Sequence, residues 1–421
     1  MTKQSSAPGD PVVRDRIVIA GAGVAGLALA LALKQALGAA YAVVLADPIP
    51  ARPPHTDHRA YAVAAGAQAM LVALGIWPAI AARAQPITAM DVTDSRESDV
   101  VRPVFLTFDG EAAPGQPFAH MVENAALAAA LLEACRDAGV ALAPVGVSRF
   151  SADGAAVEVV FADGSAVPAR LLVAADGARS KLRQQAGIGW VGWDYAQAGL
   201  VATLGHERPH GGRAIEHFLP SGPFAILPLV DGGRLGHRSS IVWTEAKENA
   251  PALLSLDETD MLAEIERRFG LMLGEIVLES PVTALPLGFG VARSFAARRL
   301  ALLGDAAHVI HPLAGQGLNL GLKDVAALAQ AIVDAARLGL DVGGDDVLET
   351  YQQARRFDAL AMGAVTDGLN RLFSNDATPI RLARDLGLGL VDRLPGLKRR
   401  FIREAAGLAG ETPRLLRGEA L

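Results

Sequence analysis

The first clear pattern along the chain is the apolar run Arg16-Ile17-Val18-Ile19-Ala20, then a glycine cluster, then Val24 to Leu37, which is apolar on most faces. A short apolar run bounded by turn residues reads as a buried strand. A helix that is apolar nearly all round belongs inside a layered body. Ala42 to Ala46 repeats the strand pattern and ends at Asp47, which completes a β-α-β unit. After an irregular Pro/His-rich stretch from Pro48 to His58, the pattern predicts a helix over Ala67 to Leu74 and strands within 86–108. A helix over Leu127 to Ala138 and a strand over Val140 to Leu142 follow. Asp153-Gly154 and Asp163-Gly164 mark the turns of a small meander over 147–171, and Leu171 to Ala175 is another buried strand.

From Gly192 to Leu285 the pattern is richer in strands: Leu200–Thr203, Phe224–Leu229 and Ser239–Trp243, with one helix over Asp260 to Phe269. Arg299 to Leu303 returns to the buried parallel type, and the chain is mostly helical from Leu318 onward. The fold class is therefore α/β. The implied plan is a loose tail over 1–13, a discontinuous cofactor domain from 14–85, 109–191 and 286–378, a strand-rich substrate domain from 86–108 and 192–285, and a basic helical tail over 379–421.

Composition narrows the function. Apolar residues make up 51% and charged residues 20%, enough to bury a large core, so a disordered chain is excluded. A net charge of −6 argues against a nucleic-acid coat. The single cysteine, Cys135, excludes an intrachain disulfide, a Cys-based zinc cluster and a CxxC redox pair, and fits a reducing compartment. Ile17 to Leu33 is uncharged and invites a signal-peptide or anchor reading. Its glycine spacing argues against that, as does a length short of the roughly 20 residues of a spanning helix.

Three constellations carry chemistry. Gly21-Ala22-Gly23-Val24-Ala25-Gly26 lies between a strand and a helix, with Asp47 at the end of the next strand. Such glycines let backbone approach a pyrophosphate at a helix N-terminus, and Asp47 is placed for a ribose. A second match, Gly187-Ile188-Gly189-Trp190-Val191-Gly192, follows a helix and precedes none, so it is read as a decoy. The second constellation is Asp176-Gly177 after the strand Leu171–Ala175, with Ser180 as the cap of a helix over Lys181 to Ala186; an ordinary Asp-Gly turn is the bland alternative. The third runs from Leu302-Leu303-Gly304-Asp305 to Ala314-Gly315-Gln316-Gly317-Leu318-Asn319. There a buried strand delivers Asp305 toward a polyol, two glycines admit a flat ligand, and a helix starting near Leu318 points its positive end at it. His308 and His311 have i, i+3 spacing but no third ligand nearby, so no metal is expected.

In order and spacing these three motifs resemble the fingerprint of class A flavin monooxygenases, which have the para-hydroxybenzoate hydroxylase fold. Asp57-His58-Arg59-Ala60, Leu74-Gly75-Ile76-Trp77, Val122-Glu123-Asn124, the run from Ala314 to Asp324 and Thr366-Asp367-Gly368-Leu369-Asn370-Arg371-Leu372-Phe373 are similar to the ubiquinone-biosynthesis hydroxylase branch. The resemblance implies a Rossmann-like FAD-binding domain with an inserted strand-rich substrate domain. It implies Gly21, Gly23, Gly26 and Asp47 on the ADP half of FAD, Arg59 on the pyrophosphate and Asn124 near the linker. Asp176 and Gly177 would serve FAD and the nicotinamide donor, Asp305 the ribityl chain, and Gly315, Gln316, Gly317, Leu318 and Asn319 the isoalloxazine. Family members often carry Glu where this chain has Asp47.

The activity implied is hydroxylation of a lipid-tailed phenol, with O2 as oxygen source and NAD(P)H as transient reductant. No protein nucleophile or acid–base pair stands out, so no catalytic residue is assigned. Phe224, Ile226 and Pro228 are expected to form a substrate wall. A prenyl-chain reductase of the same fold and a non-catalytic nucleotide-binding module are the alternatives. Pro379 to Gly418 carries nine Lys/Arg against four Asp/Glu, a net of +5, interleaved with apolar residues. That tail leads to the expectation of a cytoplasmic enzyme that contacts the inner-membrane surface or other ubiquinone-biosynthesis proteins, and no nucleic acid.

Overall fold

The computed structural model describes residues 15–49, 57–94, 104–109, 111–113, 116–374, 406–407 and 412–421. The first strand, Asp15–Ala20, lies at the centre of a six-stranded sheet because all its side chains from Ile17 onward are buried. It pairs in parallel with Tyr41–Ala46 on one side and Leu171–Ala174 on the other. Ala141–Ala143 and Leu300–Leu302 extend the sheet outward in parallel, and Ala296–Ala297 closes one edge antiparallel. Parallel strands need crossovers. The first is the helix Val24–Leu37, where nine residues from Val24 to Leu33 are buried, as its all-round apolar pattern requires. It packs against the helices Asn124–Asp137 and Gln316–Arg337. The apolar segment that mimics a signal peptide is thus core of this layer. Among the described residues no single helix is long and apolar enough to cross a membrane.

The second large sheet has nine strands. Its main path runs His308–Val309, Thr283–Ala292, Trp190–His206, His237–Ala246, Gly222–Leu229, Arg213–Leu219, Ala89–Asp94, Val104–Asp109. The two pieces expected to form the substrate domain do meet here, since Ala89–Asp94 pairs in parallel with Arg213–Leu219. The expected boundaries at 191/192 and 285/286 fall inside strands, however. Trp190–His206 and Thr283–Ala292 pair along both halves, from Trp190 opposite Ala292 to Val201 opposite Thr283. Both strands run across the expected boundaries within the nine-stranded sheet, with a bulge between Asp194 and Ala198.

One face of this sheet packs on the helices Ala250–Leu254 and Glu258–Phe269 around Phe224, Trp243 and Phe269. A small sheet of Ala60–Ala64, Ala119–Glu123 and Ala84–Ile87 bridges the layers, and the meander over 147–171 forms its own three-stranded sheet. The long helix Asp345–Phe373 continues the helical C-terminal part. Most of the basic tail, including Lys398, Arg399 and Arg400, lies outside the described residues.

Candidate functional site

A cavity of about 1670 Å³ runs from the carboxyl ends of the parallel strands to the free face of the nine-stranded sheet. Gly21, Gly23, Gly26, Asp47, Arg59, Asn124, Asp176, Gly177, Asp305, Gly315, Gln316, Gly317, Leu318 and Asn319 all line it. The carboxyl ends of parallel strands are where an open α/β sheet presents its crevice. Strand order brings the three motifs together, because Leu171–Ala174 lies between Asp15–Ala20 and Leu300–Leu302.

The glycines divide by what surrounds them. A Cβ on Gly21 would lie 2.2 Å from the Ala175 carbonyl oxygen, and one on Gly26 would lie 2.0 Å from that of Gly21. These two let strand, loop and helix pack against each other. A Cβ on Gly23 or Gly317 would meet no protein atom within 4 Å, yet both residues line the cavity. Those are the positions where a ligand's own surface would fill the space. The helices Val24–Leu37 and Gln316–Arg337 both begin at this end, with no side chain capping their first N–H groups. Unsatisfied N–H groups and the positive helix end suit an anionic group. The empty spaces, the two glycine-led helix starts and a cavity-facing carboxylate together fit FAD.

The carboxylates here mostly serve the frame. Asp47 accepts from Ala22 N and from Ile49 N, both at 2.8 Å, so it shapes the glycine loop as well as facing the cavity. Asp57 takes Arg59 bidentately at 2.7 and 2.8 Å and accepts from Asn124 Nδ2 at 2.5 Å. Burial alone would raise its pKa, but Arg59 and Asn124 outweigh that and hold it below the ordinary value. Asp176 Oδ2 accepts from Lys181 N at 3.0 Å and Leu182 N at 3.4 Å, while Ser180 caps the same short helix through Arg183 N. Asn319 is committed to structure: its amide accepts from Ala64 N and donates to Ala62 O, each at 2.9 Å. It clamps the helix Gln316–Arg337 to the bridging sheet.

Asp305 behaves differently. Its side chain opens into the cavity and, among the described residues, makes no hydrogen bond. Surrounding protein raises its pKa despite the nearby His308 and Arg59 charges. Behind it, Asp324 is fully buried, accepting from Arg355 Nε at 2.8 Å and Gly304 N at 3.2 Å, with His308 Nε2 at 2.5 Å. Burial pushes Asp324 up, but His308 and Arg355 outweigh it and hold the carboxylate low. His308 is thus an anchor for the Asp305 loop. His311 Nδ1 accepts from Leu313 N at 3.3 Å, and burial lowers its pKa to about 4, so it stays neutral.

The expected substrate wall needs correction. Phe224 and Ile226 point into the core under the sheet, and Pro228 shares their parity; none of the three lines the cavity. The lining residues of that strand are Pro223, Ala225 and Leu227. Side chains alternate along a strand, so a one-residue error in parity exchanges the two faces. Pattern reading also missed Glu216 and Thr244, which face the cavity from neighbouring strands. A lone acid in Arg213–Leu219, otherwise almost wholly buried, was the available signal.

Sequence comparison matches residues 14–365 to a family described as FAD binding domain. A ubiquinone hydroxylase, UbiL, of Rhodospirillum rubrum is 43% identical over 96% of this chain and 93% of its own length. The 3-demethoxyubiquinol 3-hydroxylase of Escherichia coli is 35% identical over 93% of this chain and 98% of its own. Among solved structures, p-nitrophenol 4-monooxygenase PnpA from Pseudomonas putida superposes with a TM-score of 0.75 at 19% identity, covering 95% of this chain and 99% of its own. HpxO of Klebsiella pneumoniae, solved with FAD and uric acid, gives 0.71 at 21% identity, covering 94% and 96%. These two likenesses concern the fold.

Proposed function

Because this chain belongs to the FAD-binding family that includes the ubiquinone-biosynthesis hydroxylases, we propose that it is an FAD-dependent monooxygenase that hydroxylates the ring of a lipid-tailed phenol in ubiquinone biosynthesis. One observation carries the reading: the same cavity joins a phosphate-type glycine cradle to an apolar sheet wall. A bare nucleotide-binding module has no use for that second half.

Bound FAD would supply the redox chemistry, with NAD(P)H as reductant and O2 as oxygen source. The chain's own residues bind and orient. Gly23 leaves room at the first helix start, where a pyrophosphate gains from free N–H groups. Asp305 offers its unpaired carboxylate to the ribityl hydroxyls, and the start of Gln316–Arg337 favours negative charge on the reduced ring. Arg59 stays oriented by Asp57 toward the middle of the cofactor. Ala225, Leu227, Val201 and Val242 give the wall its apolar character and exclude water from the reacting ring. The basic tail supports peripheral contact with an anionic membrane or with other proteins of the same biosynthesis.

The test is direct. Purified protein is expected to be yellow, to oxidise NAD(P)H faster when a prenylated phenol is added, and to restore quinone synthesis in strains blocked at one ring-hydroxylation step. A colourless protein, or phenol-independent oxidation with no complementation at any step, overturns the proposal. Co-sedimentation with anionic against neutral liposomes at low and high salt tests the membrane contact.

A further inference from the structure

The wall of the cavity holds an acid that the cofactor does not explain. Glu216 lies in the strand Arg213–Leu219, with Val92 and Ala225 beside it on the two neighbouring strands. It lines the cavity and is only 7% exposed. Among the described residues it makes no hydrogen bond or ion pair, and it is the one carboxylic acid that the nine-stranded sheet contributes to the lining. The Oγ1 of Thr244, two strands away on the same face, is likewise buried without a partner.

Resting on the hydroxylase reading above, we propose that Glu216 is a catalytic residue that hydrogen-bonds the substrate's phenolic hydroxyl and accepts its proton as the ring is oxygenated. A buried carboxyl with no partner is unfavourable in the free protein, and a phenol O–H supplies what it lacks. Burial raises the Glu216 pKa to about 7, so near neutrality a large share is ionised and able to accept. A ground-state phenol, with a pKa of roughly 10, keeps its proton and donates a hydrogen bond to that carboxylate. As the ring carbon gains oxygen, the ring loses electron density and the hydroxyl becomes far more acidic. The phenolic O–H bond then breaks, its electron pair moves toward the ring, and the proton ends on a Glu216 oxygen. On rearomatisation the attacked carbon releases its hydrogen as a proton, and the ring oxygen regains one from Glu216. O2 gives one oxygen atom to the ring and the other leaves as water, with two electrons from NAD(P)H, and the proton from the attacked carbon passes to solvent. A base needed only in the transition state raises kcat more than it lowers KM.

The experiment uses FAD-loaded enzyme with two probes, 2-prenylphenol and its methyl ether, and two variants. Glu216→Leu is apolar and near in size; Glu216→Gln keeps a hydrogen-bond acceptor but cannot take a proton. FAD content and melting temperature check that both fold. By titration calorimetry the wild type is expected to bind the phenol about tenfold more tightly than the ether, and Glu216→Leu to lose that preference. Glu216→Gln is expected to keep KM for the phenol within about threefold while kcat for hydroxylation falls about a hundredfold. An undiminished preference in Glu216→Leu, or hydroxylation by Glu216→Gln at near the wild-type kcat, overturns the assignment. If wild-type enzyme binds neither probe, the lipid-phenol reading itself fails and this inference falls with it.

Discussion

The two ends of the cavity are built on opposite principles. At the glycine-loop end four carboxylates are satisfied inside the protein: Asp47 by backbone N–H groups, Asp57 by Arg59 and Asn124, Asp176 by the start of a short helix, Asp324 by Arg355 and His308. At the sheet end Glu216 has no partner among the described residues and the Thr244 hydroxyl has none. A satisfied polar group fixes geometry before any ligand arrives. An unsatisfied buried group costs about 1–3 kcal/mol, and a bound ligand can remove that cost. The first end is a preformed mould and the second is a set of unmet contacts. Asp305 sits between them, on a rigid loop but with its own carboxylate free.

Breaking the mould should have the largest effect. Asp324→Asn removes the fully buried carboxylate facing Arg355 and His308 and leaves Arg355 only its half-exposed partner Asp358, and losing one member of a buried ion pair typically costs about 3–5 kcal/mol. Denaturant unfolding measures it. The pH dependence has a definite sign. The Asp324 pKa is lowered in the folded state, so its contribution is full above the unfolded value of about 4 and is lost as pH falls through the lowered one. The wild type should therefore lose its advantage over Asp324→Asn on acidification. A constant difference down to strongly acid pH would remove Asp324 from the frame.

Gly26→Ala comes next, because its Cβ would be driven against the Gly21 carbonyl and backbone must shift. Overpacking of this kind costs about 1–3 kcal/mol. Both stability and flavin content should drop, read by melting temperature and by the ratio of flavin to protein absorbance.

These two residues also show what was legible in sequence. Gly26 was readable because the motif is local: strand, loop and helix lie within one short stretch, and the reason for glycine is nearly contained in it. The helix Val24–Leu37 was readable for the same reason. Asp324 ends the run that begins at Ala314, but its partner Arg355 comes from another helix, so its role depends on packing. The wall failed for a different cause. Gly222–Leu229 is buried almost throughout, so every position is apolar and alternation carries no parity signal. Which face meets the cavity is decided by strands far away in sequence, and Phe224 and Ile226 lie on the opposite one. The strand Trp190–His206 likewise runs through the expected boundary at 191/192, paired with Thr283–Ala292 on both sides of a bulge between Asp194 and Ala198.

The cofactor-facing groups should separate binding from stability. Asp305→Ala removes a carboxylate whose charged form is disfavoured by its surroundings, so the apo-protein should be as stable as wild type or slightly more so at neutral pH. Its FAD affinity should fall about ten- to hundredfold, the range for a lost hydrogen bond to a charged group. Gly23→Ala should show the same split more mildly. Its Cβ meets no protein atom, so stability stays within about 0.5 kcal/mol while flavin affinity drops about tenfold. Flavin titration of the apo-proteins decides both. Full flavin occupancy in Asp305→Ala would show that the carboxylate does not serve the cofactor.

The smallest effect is expected at the second glycine motif, and it tests whether context or pattern carries the assignment. Gly187 to Gly192 follows the helix Lys181–Gln185 and leads into the strand Trp190–His206, so no helix start faces a ligand there. Gly187 has a φ of +67°, which favours glycine, and Gly192 has a packing reason. A Cβ on Gly192 would lie 2.3 Å from the Phe289 carbonyl oxygen, and Gly290 across the pair leaves room for the Trp190 ring. Gly189 is the most permissive of these: the atoms nearest its Cβ would all belong to the Arg293 side chain, at 3.0 Å from Cδ, and that chain can move aside. Gly189→Ala should therefore leave flavin affinity within about threefold of wild type and stability within about 1 kcal/mol. The comparison with Gly23→Ala is what matters, since both replace the middle glycine of the same six-residue pattern. Equal losses of flavin at the two positions would mean that the strand-loop-helix setting was overrated. A larger loss at Gly189 would place the pyrophosphate at the wrong end of the molecule.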